Sequence, residues 1–440
     1  MLEQTNEHAT QGRAKPPLRL AMIGLGTVGT GVARILTENA GRTARRAGRP
    51  IELARVCVRD RGKPREVRLP GVPLMTDPVA AASDEGADVV VELMGGTTAA
   101  ADVVLAALRS GKDVVTANKA LIAERGEELF EEARKQGRFI AFEAAVAGGV
   151  PVVAALTQAL TGNQVTSIEA ILNGTSNYIL SRMAADQMGY EACVAAAQEL
   201  GYAEADPTMD VDGTDAAQKL SILTHLAFGS RIPPDAFQKQ GIDCLTYADL
   251  ASAESLGYRV KLLATTRLTE AGTLEMHVQP TLLPEHEPVA KVDGSLNIVA
   301  LRGDAVGPLW LAGPGAGQMP TASAVVADIV DAASGRAAAT FTAIPEGPGG
   351  PTLLPAEEVS RRYYLRLTID DRPSVLARLA SVLGENGISI ASVIQSEGSG
   401  RDQDQVPLVI MTHITTEGQM RAARAKFGYD HVCLPVESGA

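Results

Sequence analysis

A short apolar run near the start of the chain leads into three spaced glycines and then a helical pattern. Residues 18–23 are typical of a strand, Gly24, Gly26 and Gly29 form G-x-G-x-x-G, and helical spacing continues through Leu36. A strand, this glycine pattern and a helix, in that order, indicate a dinucleotide-binding turn. The first glycine allows a tight turn, the second lets a pyrophosphate approach the backbone, and the third allows close helix packing. A plain turn is the alternative, because loops use glycine freely.

Strand-like and helix-like stretches alternate from residue 18 to about residue 142. This alternation predicts an α/β fold with a Rossmann-type, doubly wound parallel sheet. Further strands are expected at 51–58, 87–93, 112–116 and 138–142, with helices at 99–110 and 121–136. Ligands bind at the carboxyl ends of the strands in such sheets. The candidate positions after these strands are the glycine turn, Arg59, Gly95, Gly96, Asn118, Lys119 and Glu143.

Composition limits the classes of protein to which the chain can belong. A length of 440 residues predicts more than one domain, and 45% hydrophobic with 21% charged residues indicates a well-buried globular protein. A net charge of −12 argues against a nucleic-acid partner, because a phosphate backbone would be repelled. No apolar run reaches the length of a membrane span. Four widely separated cysteines fit a reducing compartment, so we expect a cytoplasmic protein with no membrane association.

Changes in composition and in the pattern of strands and helices along the chain predict the domain boundaries. We expect a disordered tail at 1–17, a dinucleotide-binding domain at 18–143 joined by about 313–340, a middle α+β domain at 144–312, a Gly/Pro-rich linker at 341–357 and a last domain at 358–440. Extended stretches in the middle region are expected at 164–172 and 273–283. The last domain has the order βαββαβ, which is typical of a small α+β module.

A helical pattern at 214–228 carries the most suggestive charged pair. Asp215 and Lys219 are four residues apart and therefore share one face of the helix. The expected buried side consists of Ala216, Leu220, Leu223, Leu226 and Ala227. Asp212 is the expected N-cap, but the acidic residues before the helix exceed what a cap needs; they are Glu204, Asp206, Asp210 and Asp212. Such a cluster suits a substrate with an ammonium group, whereas an exposed ion pair is the alternative for Asp215 and Lys219.

Two cationic positions follow predicted strands. A lysine such as Lys119 can donate to a carbonyl oxygen, or protonate it, as hydride reaches the carbon; a solvated lysine is the alternative. Arg59 follows the second strand together with Arg61 and Lys63. Cations at this place accommodate a 2′-phosphate, whereas an acidic residue such as Asp60 would bind the ribose 2′-hydroxyl. We expect NADP(H) to be preferred over NAD(H), with a solvated basic loop as the alternative.

Several segments together resemble the homoserine dehydrogenase family. They are residues 24–29, 117–119, 143–151, 171–180 and 201–219, and the resemblance spans roughly residues 18–333. The N-G-T-S-N-Y block from Asn173 and the G-Y-A-E-A-D-P-T block from Gly201 are highly specific. The resemblance implies reversible NAD(P)H-dependent reduction of L-aspartate 4-semialdehyde to L-homoserine, a step toward threonine, methionine and isoleucine. The middle domain would bind substrate and form a homodimer or homotetramer.

The resemblance also implies roles for individual residues. Lys219 is similar to the family's catalytic lysine, which protonates the aldehyde oxygen, and Lys119 to the lysine where cofactor and substrate meet. The implied substrate-binding residues are Glu204, Asp215, Asn173, Gly174, Thr175 and Gly201. The implied cofactor-binding residues are Gly24, Leu25, Gly26, Thr27, Val28, Gly29, Arg59, Thr97, Lys119 and Gly315. The implied site for a monovalent cation, sodium, is built largely from backbone carbonyls of Glu143, Val146, Gly148 and Val150.

Other interpretations of these segments stay open at this stage. Residues 143–151 could form a plain hinge, residues 173–177 a turn whose side chains bond to their own backbone, and residues 313–317 either a turn or an approach to the cofactor. The last domain resembles the ACT module, which implies an amino-acid effector such as threonine, although Ser374 stands where glycine is usual. The alternative functions are a non-catalytic sensor of dinucleotide and amino acid, or a related dehydrogenase of amino acids or sugars.

Overall fold

The computed structural model describes residues 15–347, 349–395 and 405–437. The chain divides into two units. Unit 1 contains the residues up to 118 with 127–142 and 325–341, and unit 2 contains 119–126, 143–324 and the residues from 342 onward. Most of the predicted tail at 1–17 lies outside the described residues. Among the helices of the described ranges, none is both long and apolar enough for a membrane crossing.

Within the described residues, unit 1 is built on a six-stranded parallel sheet in the order β3-β2-β1-β4-β5-β6. Its strands are β1 (Leu18–Ile23), β2 (Ile51–Cys57), β3 (Leu74–Met75), β4 (Val89–Glu92), β5 (Asp113–Thr116) and β6 (Ile140–Ala141). The direction of winding reverses between β1 and β4, which is where doubly wound sheets bind ligands. The predicted Rossmann-type sheet is confirmed. The strand expected at 138–142 is shorter, because a 3₁₀ turn begins at Glu143.

Five helices of the described residues alternate with these strands. They are α1 (Thr27–Glu38), α2 (Ala40–Ala47), α3 (Pro78–Ser83), α4 (Thr98–Arg109) and α5 (Lys119–Lys135). Helices α1, α4 and α5 begin close to the predicted positions, and α2 and α3 were not predicted. The central strands β1 and β4 are largely apolar, and Leu20, Met22, Val90 and Val91 have no exposed surface. Continuous apolar runs of this kind are typical of parallel strands that are covered on both faces.

Unit 2 contains a mixed sheet of eleven strands in the described part of the chain, nine of them in the order β12-β11-β7-β9-β10-β17-β13-β15-β14. The short strand β8 pairs with β10, and β16 pairs with β13. The strands are β7 (Val165–Ile171), β8 (Gln238–Lys239), β9 (Tyr258–Leu268), β10 (Leu274–Pro284), β11 (Leu296–Gly303), β12 (Gly307–Pro314), β13 (Ser360–Asp370), β14 (Ile390–Gln395), β15 (Gln405–Thr412), β16 (Thr415–Thr416) and β17 (His431–Val436). The patterns at 164–172 and 273–283 predicted β7 and β10, whereas β9, β11 and β12 were not predicted.

The remaining helices include one that is buried on nearly every side. They are α6 (Val152–Ala154), α7 (Gly174–Asp186), α8 (Tyr190–Glu199), α9 (Thr208–Val211), α10 (Thr214–Phe228), α11 (Tyr247–Ser255), α12 (Gln318–Ser334), α13 (Arg336–Thr342), α14 (Val375–Glu385) and α15 (Glu417–Arg424). Helix α10 lies between Gly213 and Gly229, both left-handed, with φ of 86° and 72°. Its buried residues include Asp215 and Lys219, while Ala227, expected on the buried side, is only half-buried. A helix apolar on most sides belongs to the core of a protein.

The described C-terminal residues follow the predicted βαββαβ order from β13 to β17, with the two-residue strand β16 in addition. Strand β17 pairs in parallel with β10 through Val436 and Leu282, so these strands continue the sheet of the middle region. The Arg366 guanidinium of β13 donates to the fully buried carboxylate of Asp249 in α11. Ser374, where glycine was expected, has a φ of 75° in the left-handed region. The linker at 341–357 as a domain boundary stays a prediction.

Candidate active site

The glycine turn in unit 1 is shaped by close contacts at its first and third glycines. A Cβ at Gly24, whose φ is 109°, would lie 2.5 Å from the Leu93 carbonyl oxygen. A Cβ at Gly29 would lie 2.3 Å from the Gly24 carbonyl oxygen. At Gly26, the N-cap of α1, a Cβ would meet nothing within 4 Å. The middle glycine therefore faces open space at a helix N-terminus, where backbone N–H groups bind anions well.

A buried carboxylate organises the neighbouring strand ends of unit 1. Glu92, the last residue of β4, has no exposed surface and accepts hydrogen bonds from the Gly95 N–H at 3.3 Å and the Thr116 hydroxyl at 2.6 Å. The Asn118 amide donates to the Gly96 carbonyl at 2.7 Å. These bonds fix the loops after β4 and β5. Glu92 was not among the predicted site residues, although a charged residue near the end of the strand predicted at 87–93 indicates a position at the ligand-binding edge of the sheet.

The loop after β2 carries a cation, Arg59, next to an acid, Asp60. Arg59 is exposed two residues after the end of β2. The neighbouring Asp60 carboxylate accepts the Gly62 N–H at 2.7 Å, so it stabilises its own turn. Thr97, another predicted cofactor residue, is half-buried and is the N-cap residue of α4, without a side-chain cap bond. Asp60 is exposed as well as Arg59, so the loop offers a ligand both a cation and a carboxylate.

In unit 2, the Asp215 carboxylate lies between two lysine ammonium groups. Its Oδ1 is 2.7 Å from Lys119 Nζ, and its Oδ2 is 2.7 Å from Lys219 Nζ. The Asn173 amide also donates to Oδ2, at 2.9 Å. Asp215 is 4% exposed and Lys219 8% exposed. An exposed surface ion pair is therefore the wrong interpretation of this helical spacing, because the pair lies in the interior of unit 2.

The opposite charges in this cluster shift the pKa values of Asp215 and Lys119 toward their ionised forms. Burial by itself raises the pKa of Asp215, but attraction to Lys219 and Lys119 outweighs it and holds that pKa well below its usual range. Burial lowers the pKa of Lys119, but Asp215, with Asp210 and Glu204 farther away, raises it overall. The Asp215 carboxylate and the Lys119 ammonium therefore stay ionised around neutral pH.

Two acceptors fix the direction of the Lys219 ammonium. Its Nζ donates to Asp215 Oδ2 at 2.7 Å and to the Leu172 carbonyl oxygen at 2.7 Å. An ammonium carries three hydrogens, so these two bonds also set the direction of the third. Leu172 directly follows β7, and its carbonyl was not foreseen in the sequence analysis. The arrangement gives a buried ammonium group whose third N–H has a fixed direction.

Asn173 joins the two acidic partners and begins a helix. Its Oδ1 accepts the Ser176 N–H at 2.8 Å as the N-cap of α7. Its Nδ2 donates to Asp210 at 2.8 Å as well as to Asp215. A helix starts at Gly174, so residues 173–177 do not form an isolated turn, but the side-chain bonds to nearby backbone expected there are present at Asn173 and Ser176.

The other predicted substrate residues lie around the start of α7. The Thr175 hydroxyl donates to the Tyr202 carbonyl at 2.7 Å, which ties the loop after α8 to α7. A Cβ at Gly174 would lie 2.6 Å from the Ser295 carbonyl oxygen, so close backbone approach requires glycine there. Gly201, just after α8, is exposed with a φ of 73°. Its left-handed conformation makes the turn that brings Tyr202 back to Thr175.

The acidic residues before α10 form two pairs: Asp206 and Asp212 accept hydrogen bonds within their own turns, and Asp210 and Glu204 lie near the lysine cluster. Asp206 accepts the Thr208 N–H at 3.1 Å and its hydroxyl at 2.6 Å, and Asp212 accepts the Thr214 N–H at 2.7 Å. These two stabilise their own turns, and the prediction that Asp212 is the N-cap of α10 is wrong, because Gly213 holds that place. Asp210 and Glu204 remain near the cluster, and Glu204 is exposed while its charge acts on Lys119.

The segment predicted to hold a cation turns sharply. Both oxygens of the buried Glu143 carboxylate accept backbone N–H groups, of Val153 at 3.0 Å and Ala154 at 2.7 Å. Ala147 and Gly148 have φ of 54° and 51°, two consecutive left-handed residues. Within the described ranges, no cluster of three or more His, Cys, Asp or Glu residues could hold a metal ion. Any cation here would bind backbone carbonyls, since the carboxylate already caps the start of α6.

Two family models match the chain. The model of homoserine dehydrogenase matches residues 151–330, and that of the homoserine dehydrogenase NAD-binding domain matches residues 24–143. The homoserine dehydrogenase of Pseudomonas aeruginosa is 44% identical over 415 residues, which cover 93% of this chain and 95% of that protein. The chain belongs to the homoserine dehydrogenase family. The resemblance noted in the sequence is confirmed, and an NAD-binding domain accounts for the glycine turn.

Solved structures support the same assignment. A homoserine dehydrogenase from Thiobacillus denitrificans has a TM-score of 0.88 and 42% identity, with 96% of this chain and 98% of that chain covered. A hyperthermophilic archaeal homoserine dehydrogenase in complex with NADPH has a TM-score of 0.62 and 26% identity, and covers 72% of this chain and 97% of its own. Homoserine dehydrogenases are oxidoreductases, so the chain belongs to an enzyme family.

The Asp215 cluster predicts a stability that depends on pH. Asp215→Asn leaves two ammonium groups without their carboxylate, and we expect about 3 kcal/mol less free energy of unfolding at about pH 7. The lowered pKa of Asp215 means that its contribution is complete above the unfolded pKa and is lost as pH falls through the folded one. The difference between wild type and variant should hold down to about pH 5 and shrink below about pH 4.

Urea unfolding at several pH values measures this difference. Asp212→Asn is the matched control, because asparagine can also accept the Thr214 N–H and Asp212 forms no ion pair among the described residues. We expect it to cost less than about 0.5 kcal/mol at every pH. Equal stability of Asp215→Asn and wild type at neutral pH would contradict a stabilising role of the Asp215 carboxylate between the two lysines.

Proposed function

We propose that this chain catalyses the reversible NAD(P)H-dependent interconversion of L-aspartate 4-semialdehyde and L-homoserine, in the biosynthesis of threonine, methionine and isoleucine. The observation that carries the proposal is the buried Lys219 ammonium, held by Asp215 and the Leu172 carbonyl at 2.7 Å each. When bound, the nicotinamide cofactor supplies or accepts the hydride. The chain itself must then bind the amino acid, orient its carbonyl group and move one proton.

Lys219 is the proposed proton donor. In the reducing direction, its third N–H donates a hydrogen bond to the aldehyde oxygen and stabilises the negative charge that develops there. The proton then moves from Nζ to that oxygen, which gives the hydroxyl of homoserine. Asp215 holds the Lys219 amine in position before the step, and Lys119, on the other carboxylate oxygen, keeps the carboxylate in place. Lys119 is the more exposed of the two lysines at the side chain, 38% against 11%.

Glu204 is the proposed partner of the substrate ammonium. The Asp215 oxygens already accept from Lys119, Lys219 and Asn173. Glu204 is exposed and close enough for its charge to act on Lys119. Together with Gly174, Thr175 and Gly201 it would line the amino-acid end of the site. Holding the substrate in this way supplies orientation, which is a large part of enzymatic rate enhancement.

NADP(H) is the proposed physiological cofactor. Arg59 is exposed after β2, and the neighbouring Asp60, also exposed, has one carboxylate oxygen bonded to Gly62 within its own turn. An archaeal member of the family has been solved with NADPH. The open space at Gly26 fits the approach of a pyrophosphate to the start of α1. The remaining predicted contacts of the turn are Leu25, Thr27 and Val28, with Thr97, Lys119 and Gly315 elsewhere.

A monovalent cation, sodium, is the proposed ligand of the turn at 143–150. The left-handed Ala147 and Gly148 redirect successive carbonyl groups, and the Glu143 carboxylate is occupied by N–H donors. Backbone carbonyls of Glu143, Val146, Gly148 and Val150 would therefore hold the ion. Its charge would stabilise this sharp turn beside the first turn of α6, without a direct part in the proton transfer.

The C-terminal strands and helices are proposed to bind an amino-acid effector such as threonine, on the strength of their βαββαβ order. A homodimer or homotetramer formed through the middle region is proposed with it, from family membership. The rival function, a non-catalytic sensor, does not need a buried proton donor such as Lys219. Following NADPH absorbance with homoserine or the semialdehyde, with and without threonine, separates these functions, because a sensor would give no turnover.

Lys219→Ala should lower turnover about 10²–10⁴-fold, because it removes the general acid. We expect the dissociation constant of NADPH, measured by fluorescence titration, to stay unchanged. Lys239→Ala is the matched control, because Lys239 donates to Thr214 at 2.7 Å at the start of the same helix without touching Asp215. An equal loss of NADPH affinity in Lys219→Ala would count against a purely catalytic role.

Glu204→Leu should raise the Michaelis constant for homoserine about 10-fold to 100-fold, because a charge-assisted hydrogen bond to the ammonium is lost. Turnover at saturating homoserine should change much less. Asp206→Asn is the control, since Asp206 serves the turn at Thr208 and asparagine can replace it. An unchanged Michaelis constant in Glu204→Leu would refute the assignment.

Arg59→Ala should reduce kcat/KM with NADPH about 10-fold or more, because a charged partner of the 2′-phosphate is removed. The rate with NADH should stay close to wild type and is the internal control for folding. Steady-state assays with the two cofactors measure the change in preference. A wild-type enzyme that prefers NADH, or a variant with an unchanged preference, would contradict the proposal.

Sodium should raise activity relative to an inert cation. We expect kcat/KM to be higher in NaCl than in choline chloride at the same ionic strength, because sodium stabilises the turn at 143–150. In Gly148→Ala the added Cβ would lie 2.4 Å from the Gly315 carbonyl oxygen, so the turn must shift and the sodium effect should disappear. Equal wild-type rates in both salts would exclude a functional sodium site.

A further inference from the structure

The carbonyl that orients Lys219 also accepts a hydrogen bond from Asn297. This residue lies near the start of β11 and is 1% exposed. Its Nδ2 is 3.0 Å from the Leu172 carbonyl oxygen, which accepts Lys219 Nζ at 2.7 Å. A carbonyl oxygen has two lone pairs, so the amide and the ammonium together occupy the acceptor. The two donors therefore determine each other's position.

The chemistry of the Asn297 amide indicates that this bond is the reason for its presence. Its nitrogen faces a carbonyl oxygen, since an amide oxygen in that place would be repelled. Its Oδ1 is buried and accepts no hydrogen bond within the described residues. An unpaired buried acceptor costs about 1–3 kcal/mol. A leucine has the same number and branching of side-chain heavy atoms and would avoid this cost. Packing alone therefore does not explain an amide at this position.

The amide is also held from its other side. A Cβ at Gly315 would lie 2.1–2.3 Å from the Asn297 amide atoms, so the glycine backbone closes directly over the side chain. The Asn297 backbone pairs with Gly313 in the β11–β12 ladder. The side chain has little room to turn away from Leu172. Backbone pairing and the glycine together fix the donor.

We propose that Asn297 is a positioning residue for the proton transfer by Lys219, an inference that rests on the proposed function. Asn297 occupies one lone pair of the Leu172 carbonyl and leaves the other to the ammonium. This fixes the angle between the Lys219 bonds to Leu172 and Asp215, and with it the direction of the third hydrogen. Without the amide donor the carbonyl can turn, and the ammonium loses its aim at the aldehyde oxygen.

The first test is substitution of Asn297. We expect Asn297→Leu, which keeps the number and branching of the side-chain heavy atoms, to lower kcat about 10–100-fold, because a displacement of about 1 Å costs that much in rate. The Michaelis constant for homoserine should stay within about twofold, since the Glu204 carboxylate is left unchanged. Asn297→Ala, smaller and equally unable to donate, should show the same pattern if the leucine variant folds poorly.

A double variant separates positioning from a structural role. If Asn297 acts through Lys219, then in a Lys219→Ala background Asn297→Leu should lower the residual rate by less than about twofold. A structural residue would lower it as much as in wild type. Asn163→Leu is the matched control, because the Asn163 amide oxygen accepts the Val306 N–H at 2.8 Å at the far end of the same hairpin. It should leave kcat unchanged.

The outcomes of this test are distinct. Wild-type kcat in both Asn297 variants, or an equal loss in the Lys219→Ala background, overturns the inference and leaves the proposed function standing. A Lys219→Ala enzyme with the turnover of wild type overturns the role of Lys219 as proton donor, and a wild-type chain without turnover overturns the proposed function itself. A kcat loss confined to the background that contains Lys219 supports both.

Discussion

One buried carboxylate holds together the charged cluster of unit 2. Asp215 is nearly inaccessible to solvent and still charged, a state that is costly unless the charge is paired and fully hydrogen-bonded. Lys119 from α5, Lys219 from one turn along α10 and Asn173 from the end of β7 supply the partners. Three segments far apart in sequence are thus drawn to one point by the need to neutralise a single charge. The same need gives the site its two cations.

The surrounding elements make this point rigid. Helix α10 is buried on nearly every side and is bounded by two left-handed glycines, so its first turn has little freedom to move. Strand β7 lies inside the sheet between β11 and β9, and the residue after it offers its carbonyl to Lys219. Functional groups placed on packed helices and strands are held more accurately than groups on loops. The Lys219 ammonium group is therefore held in a fixed position by the core of unit 2.

The sequence predicted the local features that depend on spacing. The glycine pattern gave the turn after β1, and the four-residue spacing gave Asp215 and Lys219 on one face. It could not show the Leu172 carbonyl, because every residue carries one. It could not separate Asp206 from Asp210, because identical carboxylates become turn acceptors or site residues only through their neighbours. Strand β9 was missed because it contains Lys261, which is buried and bonded to Asn177 and Asp293. The pairing of β17 with β10 is a contact between distant segments that no local pattern reveals.

The central claim is that the Lys219 amine delivers the proton, and chemical rescue tests it most directly. Removal of the side chain leaves room beside Asp215 and the Leu172 carbonyl for a small amine. Methylamine and its homologues should therefore restore turnover to Lys219→Ala in proportion to the concentration of the ammonium form, with smaller amines more effective. The NADPH affinity should not change during the rescue. A variant that binds NADPH and homoserine normally, yet shows no response to any amine of the series, would contradict the account.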